Sequence, residues 1–272
     1  MLTNLSRWPT PYTLSNLDFY RDYHGRQLYY RWEGKVWWRP TPSSTLEQIF
    51  RIVGMNATKV FLCRDDQGNE YGHRINRELG LYCHPETCDV LYRWQPFPEQ
   101  EPVPVVPIAN RIVQGDVKPR ILTVPAGEPY TKNELKIPLT YPHPLAGDAK
   151  YRDYCPAETF DGVEYFTTYT RRPEVAATAV PPPNWARDCP WLPWMGLGCG
   201  HPARLRFETM IERVDRFEDL NPRLTDVIRQ RVPIYEHTPD QTDEPNVTST
   251  TYFKHHFKDY LAGEAFPIET RA

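Results

Sequence analysis

Ala203-Arg204-Leu205-Arg206-Phe207-Glu208-Thr209-Met210-Ile211-Glu212-Arg213-Val214-Asp215-Arg216-Phe217 is the stretch on which the fold class turns. Phe207, Met210, Ile211, Val214 and Phe217 fall on one helical stripe, with charges elsewhere. Glu212 stands four residues before Arg216, a favourable pair on a helix surface. Asn221-Pro222 breaks the run, and Pro222 suits the first turn of a second helix carrying Leu224, Val227 and Ile228. Pro233 ends it. The spacing predicts a helical hairpin over 203–232 with a narrow apolar seam, too small to stand alone.

Working outward, proline dominates. The 272 residues contain 29 Pro and 14 Gly, and that proline content is roughly twice the usual ~5%. Each Pro fixes φ and removes a donor, which leaves few windows for long helices or central strands. Aromatic residues make up 13%, with 8 Trp and 17 Tyr, unlike ordinary disordered chains. The expected fold is therefore a mostly irregular, extended Pro-rich chain with a few short helices, a small hairpin and no large compact core. Its divisions are an extended arm (1–24), a small mixed α/β segment (25–95), an extended Pro-rich segment (96–202), the helical hairpin (203–232) and an extended aromatic-basic tail (233–272). Within 25–95, residues 25–40 read as a hairpin turning at Glu33-Gly34. Ser44 and Glu47 read as a capping box for a helix ending near Gly54. Residues 59–64 read as a strand, 65–69 as a turn and 74–79 as a helical turn.

Net charge is −3, from 32 bases and 35 acids. That argues against a nucleic-acid binder working by bulk electrostatics. No N-terminal signal and no membrane span are expected. The six cysteines, at 63, 83, 88, 155, 189 and 199, read as reduced thiols. The Asn-X-Ser/Thr triplets at Asn4, Asn56 and Asn246 then carry no glycan.

Motifs for chemistry are weak. Gly196-Leu197-Gly198-Cys199-Gly200 resembles a phosphate cradle, but Pro190 and Pro193 occupy the place of the required strand, so a flexible joint is expected. Cys83-His84 with Cys88, and Cys199 with His201, lack the paired spacing of a zinc site. No nucleophile elbow is present. Neither catalytic residues nor a cofactor or metal are assigned, and no enzyme is expected. The alternatives are a soluble adaptor, with a WW-like or β-rich module at 25–95 and Pro-rich ligand segments, and a cysteine- or zinc-dependent enzyme.

One pattern recurs: Tyr20-Arg21-Asp22-Tyr23, Tyr151-Arg152-Asp153-Tyr154 and Phe257-Lys258-Asp259-Tyr260. The last ends a run from Ser249-Thr250-Thr251-Tyr252-Phe253 to His255-His256-Phe257, and Phe166-Thr167-Thr168-Tyr169 is a weaker instance of the same texture. Ser249 to Phe257 is similar to short Thr-Tyr elements common in proteins of the ciliary axoneme, many of them microtubule inner proteins. The resemblance implies a structural protein of cilium or flagellum, cytoplasmic and cytoskeletal, that binds the α/β-tubulin lattice of doublet microtubules and links other axonemal proteins, with no nucleic-acid or membrane partner. The residues expected to carry that binding are Tyr20, Tyr23, Trp37, Trp38, Tyr151, Tyr154, Tyr169, Trp191, Trp194, Tyr252, Phe253, Phe257 and Tyr260, because aromatic anchors concentrate contact energy in pockets. On this reading, substituting Tyr252 and Phe257 frees the tail without unfolding 203–232.

Overall fold

A computed structural model describes residues 7–268. The chain opens with β1 (Tyr12–Ser15) and α1 (Asn16–Asp22), followed by three long strands, β2 (Leu28–Arg39), β3 (Glu47–Arg64) and β4 (Glu70–Cys83). A short pair, β5 (Arg93–Trp94) and β6 (Val103–Pro104), precedes β7 (Ile108–Val117) and β8 (Ile121–Val124). Then come β9 (Tyr130–Pro142), β10 (Thr159–Arg171), β11 (Asn184–Pro190) and β12 (Arg204–Val214). Three helices, α2 (Pro222–Arg231), α3 (Ser249–His255) and α4 (Phe257–Leu261), complete it.

Eight strands form one antiparallel sheet in the order β7-β4-β3-β2-β12-β11-β10-β9. Each long strand pairs with the next long strand along the chain, and the last, β12, pairs with the first, β2. Only β7 and β9 fail to pair, so the sheet is an up-and-down ring left open at one seam. At that seam Val247 lies antiparallel to Arg111, exchanging two backbone hydrogen bonds of 2.8 Å. Register shifts between Val36 and Trp37 and between Gly72 and Arg74 mark irregularities of the kind that bend strands.

The curl is visible in side-chain contacts. β4 and β12 are three strands apart, which in a flat sheet means ~14 Å. Yet the rings of Tyr82 and Phe207 stand 6.4 Å apart. The face carrying Trp32, Asn56, Glu78, Tyr82 and Phe207 is therefore the inside. Trp32 lies across the floor: a Cβ on Gly54 or Gly80 would come within 2.1 or 2.2 Å of its ring. Both positions need glycine for that close approach.

Both mouths of the ring are filled. At one, Phe50 meets Tyr82 (5.2 Å) and Trp94 (5.4 Å) edge-on, and Trp194 touches Tyr82 (5.4 Å). At the other, α1 sets Leu17 and Tyr20 against Leu28 and Val60. Outside, the 217–235 segment covers the sheet, with Tyr29 meeting Phe217 at 5.9 Å and bonding the Glu236 carbonyl at 3.1 Å.

The expectation of an extended chain without a core is overturned: one apolar cluster runs from Tyr29 to Phe266. Residues 204–214 are a strand, not a helix. Leu205, Phe207 and Thr209 are buried while Arg206, Glu208 and Met210 face out or partly out, a period of two. The predicted second helix is present as α2, with Pro222 at its first position. Residues 44–53 and 74–79 are likewise in turn or strand rather than helix. The expected hairpin at 25–40 is a single strand, and Gly34 serves a close approach to Glu208, not a turn. The tail expected to be extended carries α3 and α4. Proline is absorbed at strand ends, at the first turns of helices and in β9, which bonds only one neighbour.

Candidate functional site

The inner face is built by alternation. On β4, Arg74, Asn76, Glu78 and Tyr82 point inward between outward Ile75, Arg77 and Leu79. Register places Asn56 of β3 and Asn110 of β7 beside Glu78. On the opposite wall, Glu164 of β10 is the register partner of Arg187 of β11. Five strand steps separate β4 from β10, ~24 Å if flat, yet the Glu78 carboxyl feels both Glu164 and Arg187. The curl brings the two walls together across a lumen.

Hydrogen bonds tie one wall into two short chains. Trp32 Nε1 donates to Asn56 Oδ1 (3.0 Å), and Asn56 Nδ2 donates to Asn76 Oδ1 (3.2 Å). Asn110 Nδ2 donates to Glu78 Oε2 (2.7 Å), and its own Oδ1 accepts from Ser249 Oγ (3.1 Å). The α3 N-terminus is thereby linked to the lumen. The opposite wall is looser. Arg187 Nη1 and Glu164 Oε1 stand 3.8 Å apart, with side chains 24% and 20% exposed. Arg187 Nε is buried without a hydrogen-bond partner among the described residues. The guanidinium lies over Phe160 at 5.3 Å.

Electrostatics divide these groups. Burial raises the Glu78 pKa above the carboxylate range, and the Asn110 hydrogen bond only partly opposes it. Protein surrounds Glu78 on all sides, yet it keeps some accessible surface. Burial also opposes the Arg187 charge, but the acidic groups near it, Glu164 among them, leave its pKa above the usual value. Burial pushes the Cys189 thiol up as well. The arrangement offers a fixed cation, a carboxyl biased toward its neutral form and amide donors, all among aromatic walls. Among the described residues no group of three His, Cys, Asp or Glu is placed to hold a metal ion.

The sequence-derived candidates lie elsewhere. Tyr20, Trp38, Tyr151, Trp191, Trp194, Tyr252, Phe253, Phe257 and Tyr260 are buried, and Tyr23, Trp37, Tyr154 and Tyr169 are partly covered. Tyr151, Tyr154, Phe253, Phe257 and Tyr260 come together in one aromatic group, and the Tyr260 hydroxyl donates to the Trp194 carbonyl at 2.8 Å. Tyr252 bonds Ile268, Trp191 bonds the His201 carbonyl and Trp38 packs on Trp94. Tyr20 and Tyr23 belong to the α1 end, Trp37 sits on the outer face beside Lys35, and Tyr169 packs on Tyr130. Attaching these buried rings to a lattice would require opening the core. Glu78, Glu164 and Arg187 were missed because a lone charge inside an alternating strand signals a site only once the inner face is known.

Residues 25–257 match the model of a family described as a protein of unknown function, DUF1838. No curated protein matches the chain, and no solved structure matches it.

Proposed function

The chain belongs to the DUF1838 family, and from that premise we propose that its barrel lumen binds a small amphipathic organic acid. Eight-stranded barrels have room either for side chains alone or for one small ligand. The observation that carries the reading is the convergence of Glu78, Glu164 and Arg187 from opposite walls, each still partly accessible, with Arg187 Nε unpartnered. A half-satisfied charged network costs stability unless something completes it. Arg74 and Arg187 face Glu164 and a Glu78 whose charged form burial disfavours, a balance that favours an anionic group. Trp185, partly accessible on the same face, supplies apolar surface for the rest of the ligand.

The probe is 8-anilino-1-naphthalenesulfonate, an aromatic anion. Saturable binding at one site per chain is expected, with Arg187→Met weakening it about tenfold, or about 1.4 kcal/mol. Absence of a saturable site, or equal binding by the Arg187→Met protein, overturns the reading.

A further inference from the structure

The outer face of the sheet holds a charged cluster that the lumen does not use. Arg77 on β4 and Arg111 on β7 are register partners, and Val247 pairs with Arg111 on its far side. One carboxylate serves both guanidiniums. Glu244 Oε2 is 2.9 Å from Arg111 Nη1 but 3.7 Å from Arg77 Nη1, too long for a hydrogen bond. Arg77 is 6% exposed, and Tyr235 above it is 0% exposed. The Tyr235 hydroxyl lies within electrostatic reach of both guanidiniums. Arg77 Nε, Arg77 Nη1, Arg111 Nε and the Tyr235 hydroxyl are all buried without a hydrogen-bond partner among the described residues.

Two features of this cluster point the same way. Two cations against one carboxylate leave a surplus positive charge in a buried place, which costs several kcal/mol per uncompensated ion. The unpartnered groups are also a set of donors. A guanidinium N–H cannot accept, and a phenol can donate. Water placed among them could pass its hydrogens to Glu244 or the phenol oxygen but would leave the surplus charge, whereas an anion accepts from each donor and cancels it.

We propose that Arg77, Arg111 and Tyr235 bind one small monovalent inorganic anion of the chloride class beneath residues 238–247. The anion completes the charge balance where Glu244 cannot. It also fastens the segment that lies along the open edge of β7, since Arg111 holds that segment by both its backbone and its guanidinium.

The test uses the full chain. Crystals soaked in sodium bromide should show an anomalous peak bounded by Arg77, Arg111 and Tyr235. The thermal midpoint should rise saturably in sodium chloride over sodium gluconate at equal ionic strength. Tyr235→Phe keeps the ring packing and should shift the chloride midpoint about tenfold upward, so the test does not depend on an Arg77 variant folding. An ordered water at that position in the bromide crystals overturns the proposal. Equal melting in chloride and gluconate does the same.

Discussion

The ring of Tyr151 meets the ring of Phe257 at 4.7 Å and 64°, in edge-on contact. Each residue begins one of the recurring aromatic-base-aspartate-tyrosine tetrads. Tyr154 and Tyr260, which end them, stand 5.6 Å apart at 86°. Two of the three echoes in the sequence are therefore partners of one another. Phe257→Ala should cost about 3–5 kcal/mol, as removal of a buried aromatic ring does. It should lower the urea midpoint of the whole chain in a single transition. Release of the tail with an unchanged main transition would restore the view of 252–260 as a detachable anchor.

Trp32 makes a second testable contact. Its ring lies over Gly54 and Gly80, and its Nε1 donates to Asn56. Gly54→Ala places a methyl group where the ring is, and overpacking of this kind costs about 1–3 kcal/mol. The displaced indole should lose its bond to Asn56. A changed near-ultraviolet circular dichroism band together with a lowered melting point is expected. A variant matching the parent in both would mean that Trp32 does not lie on that floor.

Much of this architecture is present in the residues, at a period of two rather than about 3.6. Arg204-Leu205-Arg206-Phe207-Glu208 alternates strictly, and the strand follows that alternation. The helical stripe at 207, 210, 211, 214 and 217 was a weaker match that used residues from both faces. Proline count is a poor guide for a different reason. It limits which positions can bond within a sheet, but edge strands and strand ends absorb many prolines. Pro222 and the turn at 65–69 were legible because local chemistry alone decides them. The lumen was not legible, since nothing local tells that Glu78 and Glu164, far apart in sequence, face one cavity.

His143 gives a pH dependence of fixed sign. Burial alone pushes its imidazole down to about 4 from 6.5. Its Nδ1 accepts from the Leu145 N–H at 3.2 Å and lies 3.4 Å from the Cys155 thiol. A base with a depressed folded pKa contributes stability that is whole above about 6.5 and is lost as pH falls toward about 4. The full loss is on the order of 3 kcal/mol at 1.36 kcal/mol per pKa step. His143→Asn should begin less stable at neutral pH but show a shallower acid slope in urea titrations. Parallel slopes for the two proteins would remove His143 as the cause.

Glu78 should act with the opposite sign. Burial raises its pKa above 4.5, so the folded chain favours the neutral carboxyl. Stability from this group is complete below about 4.5 and declines as pH rises through the folded value. Glu78→Gln removes the titration and keeps an oxygen that can accept from Asn110 Nδ2. Unfolding free energies of the two proteins should therefore lie closest below about pH 4.5. Above that, the parent should fall behind by up to about 1.36 kcal/mol per pH unit until its carboxyl is ionised. Taking the difference between the proteins cancels the His143 contribution, which both share. If the gap instead widens toward acid, the carboxylate is stabilised as an ion by Arg187. The lumen would then hold a closed ion pair, with no cation left to receive a ligand.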